Sequence, residues 1–208
     1  MKRIIINSAG KAVVVNNKAL YLEDGGLPSE YRRLTGINFD GNVWYETDYY
    51  LQGSDTLRFA FMATKACNVL GCYTAADAQT NYSLYATTTS GGKYLRYNGG
   101  TYNSYIATNT RYDVVITPTG SDGMRVDSTW TALTFTAPSK MCIGTTSRTA
   151  TSAKLTGGLY GNVSIDNGPQ YIPVERISDG EIGYYELNSE VFYENLGSGT
   201  PTALGYAD

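Results

Sequence analysis

Apolar and polar residues alternate with a period of two along much of the chain, which is typical of β-strands with one buried face. Residues 57–62 read Leu-Arg-Phe-Ala-Phe-Met, and residues 112–116 and 140–143 are short apolar runs of the same kind. In residues 159–165 the alternation predicts that Leu159, Gly161, Val163 and Ile165 share one face. No segment of helix length keeps an apolar period of 3.6 residues, so the pattern predicts an all-β chain.

Short segments rich in Gly, Asn and Asp separate these runs and supply the residues that tight turns require. The predicted turns lie at residues 41–42, 90–92, 98–100, 121–123, 166–168 and 178–180. About a dozen short strands with tight turns favour an antiparallel sandwich of two sheets, of the jelly-roll type.

The first 26 residues differ from the rest. Residues 3–6, 12–15 and 19–22 are apolar runs around Asn16-Asn17, and the segment that ends at Pro28 contains a Gly-Gly pair. We therefore predict an N-terminal β segment over residues 1–26 and a main domain over residues 27–208. Three strands of this length bury too little apolar surface to stand alone, so they either add to the sandwich or pair with another chain.

Composition narrows the possible functions. The 208 residues contain 16 Lys and Arg against 19 Asp and Glu, and no histidine. The net charge of −3 and the lack of a long basic run argue against a nucleic-acid partner. The missing histidine removes the usual general base and the commonest transition-metal ligand.

Three cysteines, Cys67, Cys72 and Cys142, are an odd number in a chain too large to need disulfides, so we expect free, partly buried thiols. Residues 4–6 form an apolar run too short for a secretory signal, and no run is long enough to span a bilayer. We therefore expect no membrane partner and a protein that is made in a cytoplasm and is not exported by a signal peptide.

Tyrosine dominates the aromatic residues, with 19 Tyr beside 5 Phe and 2 Trp. Tyrosine rings can stack on the apolar faces of sugars while nearby amide and guanidinium groups reach sugar hydroxyls. Residues 93–105 combine both kinds of group, which predicts a glycan-binding site at Tyr94, Arg96, Tyr97, Tyr102, Asn103 and Tyr105. The alternative for Tyr94 and Tyr97 is an ordinary hairpin with glycines in its turn.

Several segments carry a resemblance to a known family. They read Leu-Pro-Ser-Glu-Tyr-Arg-Arg-Leu at 27–34, Gly-Ile-Asn-Phe-Asp-Gly at 36–41, Tyr-Glu-Thr-Asp-Tyr at 45–49 and Lys-Leu-Thr-Gly-Gly-Leu-Tyr at 154–160, with a closing run at 171–200. Together they resemble the laminin-G-like, concanavalin A-like jelly rolls common in virion and tail proteins of phages and prophages of gut bacteria. The resemblance implies the fold and the setting over residues 27–208, but it implies no ligand, because this architecture carries lectins, hydrolases and inert spacers alike.

Catalytic chemistry finds little support in the sequence. A retaining glycosidase needs two carboxylates about 5 Å apart on one sheet face. Glu46 and Asp48 are two positions apart and share a strand face, but residues 49–51 supply no second glutamate beside them. Glu181 and Glu186 are five positions apart, which places them on opposite faces of a regular strand. We predict that the protein is not an enzyme.

Cofactors are not expected, although laminin-G-like domains often hold calcium at the rim of the sandwich. Asp122 and Asp127 are candidate ligands by loop position only. No residue of the resembling segments fixes a calcium ligand, so no metal site is assigned.

The sequence favours a phage virion protein on a tail, baseplate or head fibre that binds bacterial surface polysaccharide. Residues 1–26 would then dock on other virion proteins, in a homotrimer or another homo-oligomer. The alternatives are a purely structural capsid-decorating or spacer protein and, less favoured, a glycan-cleaving enzyme.

Overall fold

A computed structural model describes residues 26–72, 107–122, 136–137, 139–146 and 153–207, together with the backbone of seven further strands. This part of the chain contains nineteen strands and no helix. The first ten strands are β1 (Ala12–Val15), β2 (Lys18–Tyr21), β3 (Tyr31–Asp40), β4 (Tyr45–Glu46), β5 (Leu57–Ala63), β6 (Cys67–Cys72), β7 (Tyr82–Ala86), β8 (Leu95–Tyr97), β9 (Gly100–Tyr102) and β10 (Ser104–Tyr105). The other nine are β11 (Arg111–Thr117), β12 (Gly120–Asp122), β13 (Arg125–Val126), β14 (Cys142–Ile143), β15 (Thr156–Ile165), β16 (Gln170–Arg176), β17 (Ile182–Glu186), β18 (Val191–Tyr193) and β19 (Thr202–Tyr206).

Two large sheets account for most strands. A nine-stranded sheet has the order β12-β11-β5-β15-β3-β16-β17-β18, with β19 beside β3, and a six-stranded sheet has the order β4-β14-β6-β7-β8-β9. Both sheets are antiparallel throughout. The predicted all-β class with antiparallel sheets is therefore confirmed.

Side chains of both sheets contribute to one hydrophobic core. Phe61 of β5 belongs to the same buried cluster as Val69 of β6. The ring of Tyr45 on β4 meets Phe39 of β3 and Tyr184 of β17, with centroid distances of 5.9 Å and 5.1 Å. The arrangement is sandwich-like, because the buried faces of two sheets share their apolar surface, and the jelly-roll type stays a prediction.

Strand β15 departs from simple alternation. Leu159, Val163 and Ile165 are buried as predicted, but Gly161 is exposed. The register with β5 shifts between Tyr160 and Ser164, so the bulge turns Gly161 away from the core. The prediction that Gly161 shares the buried face is wrong for this reason.

Three of the predicted turns agree with the structure, and the others do not or lie wholly or partly outside the described residues. Gly41, Asn167 and Gly180 have the positive φ angles that tight turns favour. Residues 121–122 of the predicted turn at 121–123 lie in β12, residue 123 lies outside the described residues, and a turn that was not predicted occupies residues 118–119. The hydroxyl oxygen of Thr117 accepts the backbone N–H of Gly120 at 3.0 Å, which fixes the turn there. Residues 90–92 and 98–99 lie outside the described residues.

Two of the three apolar runs predicted in the N-terminal segment correspond to described strands, β1 and β2. Val15 of β1 pairs with Lys18 of β2, so residues 16–17 form the connection, and the two strands make a sheet of their own. Residues 3–6 lie outside the described residues. Leu27 is buried against Ile172 and Val174, so the residue that begins the predicted main domain already belongs to a core cluster.

The three cysteines are buried and form no disulfide, as expected. Trp44 is buried, whereas Trp130 lies outside the described residues. The described segments contain no helix that is long and apolar enough to cross a membrane.

Candidate functional site

The predicted glycan-binding residues fall on a run of short strands. Arg96 and Tyr97 lie in β8, Tyr102 in β9 and Tyr105 in β10, whereas Tyr94 and Asn103 lie outside the described residues. Strands β8 and β9 form a hairpin in which Tyr97 pairs with Gly100. Tyr97 therefore lies in a hairpin, as the alternative interpretation has it, while Tyr94 is outside the described residues and the glycan site stays a prediction.

A better-defined cleft lies elsewhere, with a volume of about 440 Å³. Its lining combines aromatic, carboxylate and amide groups, a mixture typical of sites that bind hydroxyl-rich ligands. We call it the tyrosine cleft. It is lined by Asp48, Tyr49, Gly168, Pro169, Tyr171, Glu186, Asn188, Ser189 and Tyr193.

Three connections build the tyrosine cleft at one end of the sandwich. The chain after β4 supplies Asp48 and Tyr49, the turn between β15 and β16 supplies Gly168 and Pro169, and the turn between β17 and β18 supplies residues 188–189. These connections meet because β16, β17 and β18 are neighbours in the nine-stranded sheet. The cleft is therefore set by sheet order, and residues more than a hundred positions apart line it.

Ring packing and a hydrogen bond hold the aromatic wall of the tyrosine cleft. The rings of Tyr171 and Tyr193 meet edge to face, with a centroid distance of 5.7 Å. The hydroxyl of Tyr49 donates a hydrogen bond to Oδ2 of Asp55 at 3.0 Å. Burial, together with the charge of Asp55, raises the pKa of Tyr49 to about 12, so this hydroxyl stays protonated at neutral pH.

Glu186 is buried but well bonded, with 4% of its surface exposed. Its Oε1 accepts the backbone N–H of Asn188 at 2.9 Å and its Oε2 that of Ser189 at 2.7 Å. Burial alone raises the pKa of Glu186, but these bonds and others from Ser189 and Gln170 outweigh burial and hold the pKa below its usual range. Glu186 is thus an ionised carboxylate that fixes the turn at the edge of the cleft.

Asp48 is the second carboxylate of the cleft, and it is exposed. Its Oδ1 accepts a hydrogen bond from Nζ of Lys140 at 2.5 Å. The sequence suggested two other pairs of carboxylates, Glu46 with Asp48 and Glu181 with Glu186. It did not indicate that Asp48 and Glu186 line the same cleft. Only sheet order brings Asp48 to the same cleft as Glu186, so no spacing in the sequence signals it.

The chemistry of this pair suits binding. A general acid in a glycosidase needs a carboxyl group with a raised pKa. Glu186 has a lowered pKa, and Asp48 is paired with a lysine. The cleft therefore offers fixed acceptors and aromatic surface to a ligand.

Only one of the two calcium candidates belongs to the described residues. Asp122 is exposed in β12, and Asp127 lies outside the described residues. Among the residues whose side chains are described, no three His, Cys, Asp or Glu residues form a group that could hold a metal ion.

Comparisons of the chain with protein-family models, with curated proteins and with solved structures found no match. The laminin-G-like resemblance and the phage setting therefore remain predictions from the sequence.

Proposed function

We propose that this protein is a non-catalytic adhesion module that binds bacterial surface glycans on a phage virion. A laminin-G-like jelly roll displayed on a tail, baseplate or head fibre is the setting that the sequence resemblance implies. The observation that carries the binding proposal is the tyrosine cleft, which Tyr49, Tyr171 and Tyr193 line together with carboxylate and amide groups.

Sugars present both apolar CH faces and hydroxyl groups, and the tyrosine cleft offers partners for each. Tyr49 supplies partly exposed aromatic surface, and the exposed Asn188 supplies an amide group. The carboxylates of Asp48 and Glu186 are acceptors for hydroxyl donors. Because the pKa of Glu186 is lowered and this carboxylate is ionised, the cleft disfavours acidic sugars.

Binding is proposed without catalysis because the cleft holds its carboxylates in partnered states. Glu186 accepts two backbone N–H groups, which favour its ionised form. An acid that stays ionised at neutral pH cannot protonate a glycosidic oxygen.

Residues 1–26 are proposed to dock the module on other virion proteins in a homo-oligomer. The supporting observation is that β1 and β2 form a sheet of their own. A two-stranded hairpin is at best marginally stable alone, so it gains from pairing with another chain. Deleting residues 1–26 should leave a folded main domain that no longer oligomerises. Loss of the fold in a monomer would instead place the segment in the sandwich.

A panel of bacterial capsular and cell-wall polysaccharides tests adhesion. The full chain is compared with three variants. Tyr49→Ala/Asn188→Ala alters the tyrosine cleft, and Tyr97→Ala/Tyr102→Ala alters the segment predicted from the sequence. Tyr206→Ala is the matched control. Tyr206 is suitable because it is 51% exposed and does not line the cleft. Thermal unfolding establishes that each variant is folded.

Saturable binding that only the Tyr49/Asn188 variant loses would support the tyrosine cleft. Loss in the Tyr97/Tyr102 variant alone would move the site to β8 and β9. No binding across the panel by the folded wild-type protein would contradict adhesion and favour the purely structural decorating role. Release of reducing sugar ends would contradict the non-catalytic assignment.

A further inference from the structure

A second groove, of about 430 Å³, lies on the face of the nine-stranded sheet that points away from the core. We call it the arginine groove. Its lining includes Thr35, Arg58, Arg111, Asp113, Tyr160 and Asn162. It shares no residue with the tyrosine cleft.

The path of β15 explains why a groove opens here. Strand β15 pairs with β3 through residue 160 and with β16 from residue 163, and β3 also pairs with β16. All three pairings are antiparallel, and three strands cannot each run antiparallel to the other two in one flat sheet. Strand β15 therefore leaves β3 after Tyr160, at the bulge that contains Gly161. The φ angle of Gly161 is +63°, and an added Cβ there would meet no atom within 4 Å.

Two guanidinium groups are held along this groove. Arg58 donates from Nε and Nη2 to the carboxylate of Asp166 at 2.7 Å and 2.8 Å. Arg111 donates from Nη2 to Asp113 at 3.0 Å, and its Cζ lies 4.7 Å from the centroid of the Tyr160 ring. The partners fix the orientation of both side chains, which lowers the entropy lost when a ligand binds.

Both guanidinium groups keep the capacity to bind a further anion. A guanidinium has five N–H donors in a planar fork that matches a carboxylate. Asp166 engages Nε and Nη2 of Arg58, and Asp113 engages Nη2 of Arg111, so these contacts leave Nη1 of each arginine for a ligand.

The charge of the lining is positive in a chain whose net charge is −3. Arg58 and Arg111 line the groove together with one carboxylate, Asp113, and a second carboxylate, Asp166, pairs with Arg58 from beside the groove. At the strand junction Arg33 adds a third guanidinium, which donates to Oδ1 of Asn162 at 3.3 Å. Local charge of this sign attracts an anionic ligand.

The neutral groups indicate what kind of anion fits. Thr35 and Asn162 offer hydroxyl and amide groups that can bond sugar hydroxyls, and Tyr160 offers aromatic surface. The groove also crosses several strands of an open sheet face, so it suits an extended chain. We propose that the arginine groove binds an acidic polysaccharide through the carboxylates of its sugars.

Binding of sodium polygalacturonate to the full chain, measured by calorimetry, tests this proposal. We expect saturable binding that Arg58→Glu/Arg111→Glu weakens at least about tenfold, because charge-assisted hydrogen bonds are lost and like charges are introduced. Arg32→Glu is the matched control, since Arg32 is an exposed arginine paired with Glu175 that does not line the groove. Arg32→Glu should bind polygalacturonate like the wild type. If Arg58→Glu/Arg111→Glu does not fold, Arg111→Gln is measured in its place.

Three other polymers establish the chemistry of the ligand. Dextran, dextran sulfate and poly-L-glutamate supply sugar without charge, sugar with sulfate, and carboxylate without sugar. We expect all three to bind more weakly than polygalacturonate. Equal binding of any of them would overturn the assignment, as would no binding of polygalacturonate or an equal loss in Arg32→Glu.

The two proposed sites can fail separately. The cleft variant Tyr49→Ala/Asn188→Ala should bind polygalacturonate like the wild type. If it loses that binding while Arg58→Glu/Arg111→Glu keeps it, the acidic polymer binds in the tyrosine cleft and the proposal for the groove is wrong.

Discussion

Tyr45 and Tyr184 meet edge to face across the core, at a centroid distance of 5.1 Å and an interplanar angle of 87°, but only one of them has a partner for its hydroxyl. Tyr45 donates to the backbone oxygen of Ile182 at 3.1 Å. The hydroxyl of Tyr184 is buried without a hydrogen bond. The same side chain thus has a different energetic role in each sheet.

The two hydroxyls should therefore respond in opposite ways to removal. We expect Tyr45→Phe to lower the free energy of unfolding by about 1 kcal/mol, because a buried hydrogen bond is lost. Tyr184→Phe should leave the free energy of unfolding unchanged or raise it by up to about 1 kcal/mol, because an unsatisfied polar group is removed. Urea unfolding measures both, and a larger loss for Tyr184→Phe than for Tyr45→Phe would contradict this account.

The side chain of Asn195 ties the C-terminal turn to the segment before β4. Its Oδ1 accepts the backbone N–H of Trp44 at 3.1 Å and that of Gly197 at 2.9 Å, and its Nδ2 donates to the backbone oxygen of Gly199 at 2.7 Å. We expect Asn195→Ala to lower the free energy of unfolding by about 2 kcal/mol, because partly buried backbone groups lose their partner.

Asn38→Ala is the control for that prediction. The amide of Asn38 makes an exposed hydrogen bond to Thr202 at 3.4 Å, so its loss should change the free energy of unfolding by less than about 0.5 kcal/mol. Equal effects of the two variants in urea unfolding would show that Asn195 does not join these segments.

The lowered pKa of Glu186 predicts how stability depends on pH. A carboxyl group with a lower pKa in the folded state stabilises the protein above its unfolded pKa of about 4.3, and this contribution is lost as the pH falls through the folded value. Glu186→Gln should reduce stability at pH 7 and flatten the decline of stability below pH ~4.

Glu190→Gln, in the same turn but exposed, is the matched control. Thermal unfolding between pH 2.5 and pH 7 distinguishes them, and parallel pH profiles for Glu186→Gln and the wild type would contradict the assignment.

Two glycines should differ sharply in their tolerance of alanine. A Cβ on Gly183 would lie 2.3 Å from the backbone oxygen of Tyr193, whereas one on Gly161 would meet nothing within 4 Å. We expect Gly183→Ala to cost at least about 3 kcal/mol by forcing β17 and β18 apart. Gly161→Ala should cost about 1 kcal/mol, from its positive φ alone. Circular dichroism during chemical unfolding checks both values, and equal costs would show that the β17–β18 pairing adapts to the added methyl group.

Much of the fold could be predicted from alternation and turn residues. Residues 57–62 fall in β5, whose alternating pattern commits one face to the core, and Asn167 and Gly180 adopt the positive φ angles that their turns favour. These features depend on neighbours in sequence, which is why the sequence reveals them. The turn at residues 118–119 was missed because its main support, the hydroxyl of Thr117 that accepts the backbone N–H of Gly120, is a weaker turn signal in sequence than a Gly-Asn or Asp-Gly pair.

The tyrosine cleft could not be predicted in the same way. Asp48 and Glu186 are 138 positions apart, and the spacing rules for strands apply only to residues on one strand or on known neighbours. Likewise, the exposure of Gly161 depends on a bulge that the pairing of β15 with two different strands creates. Neither relationship has a local signature.

The sequence by itself determined that the chain forms antiparallel strands and where the turns at residues 41–42, 166–168 and 178–180 lie, because period and turn chemistry are local properties. Only the tertiary structure decided which strands are neighbours, which tyrosines line a cleft and which arginines share a groove. The physical reason is that long-range pairing is selected by the packing of whole sheets, in which each side chain's partners come from distant parts of the chain.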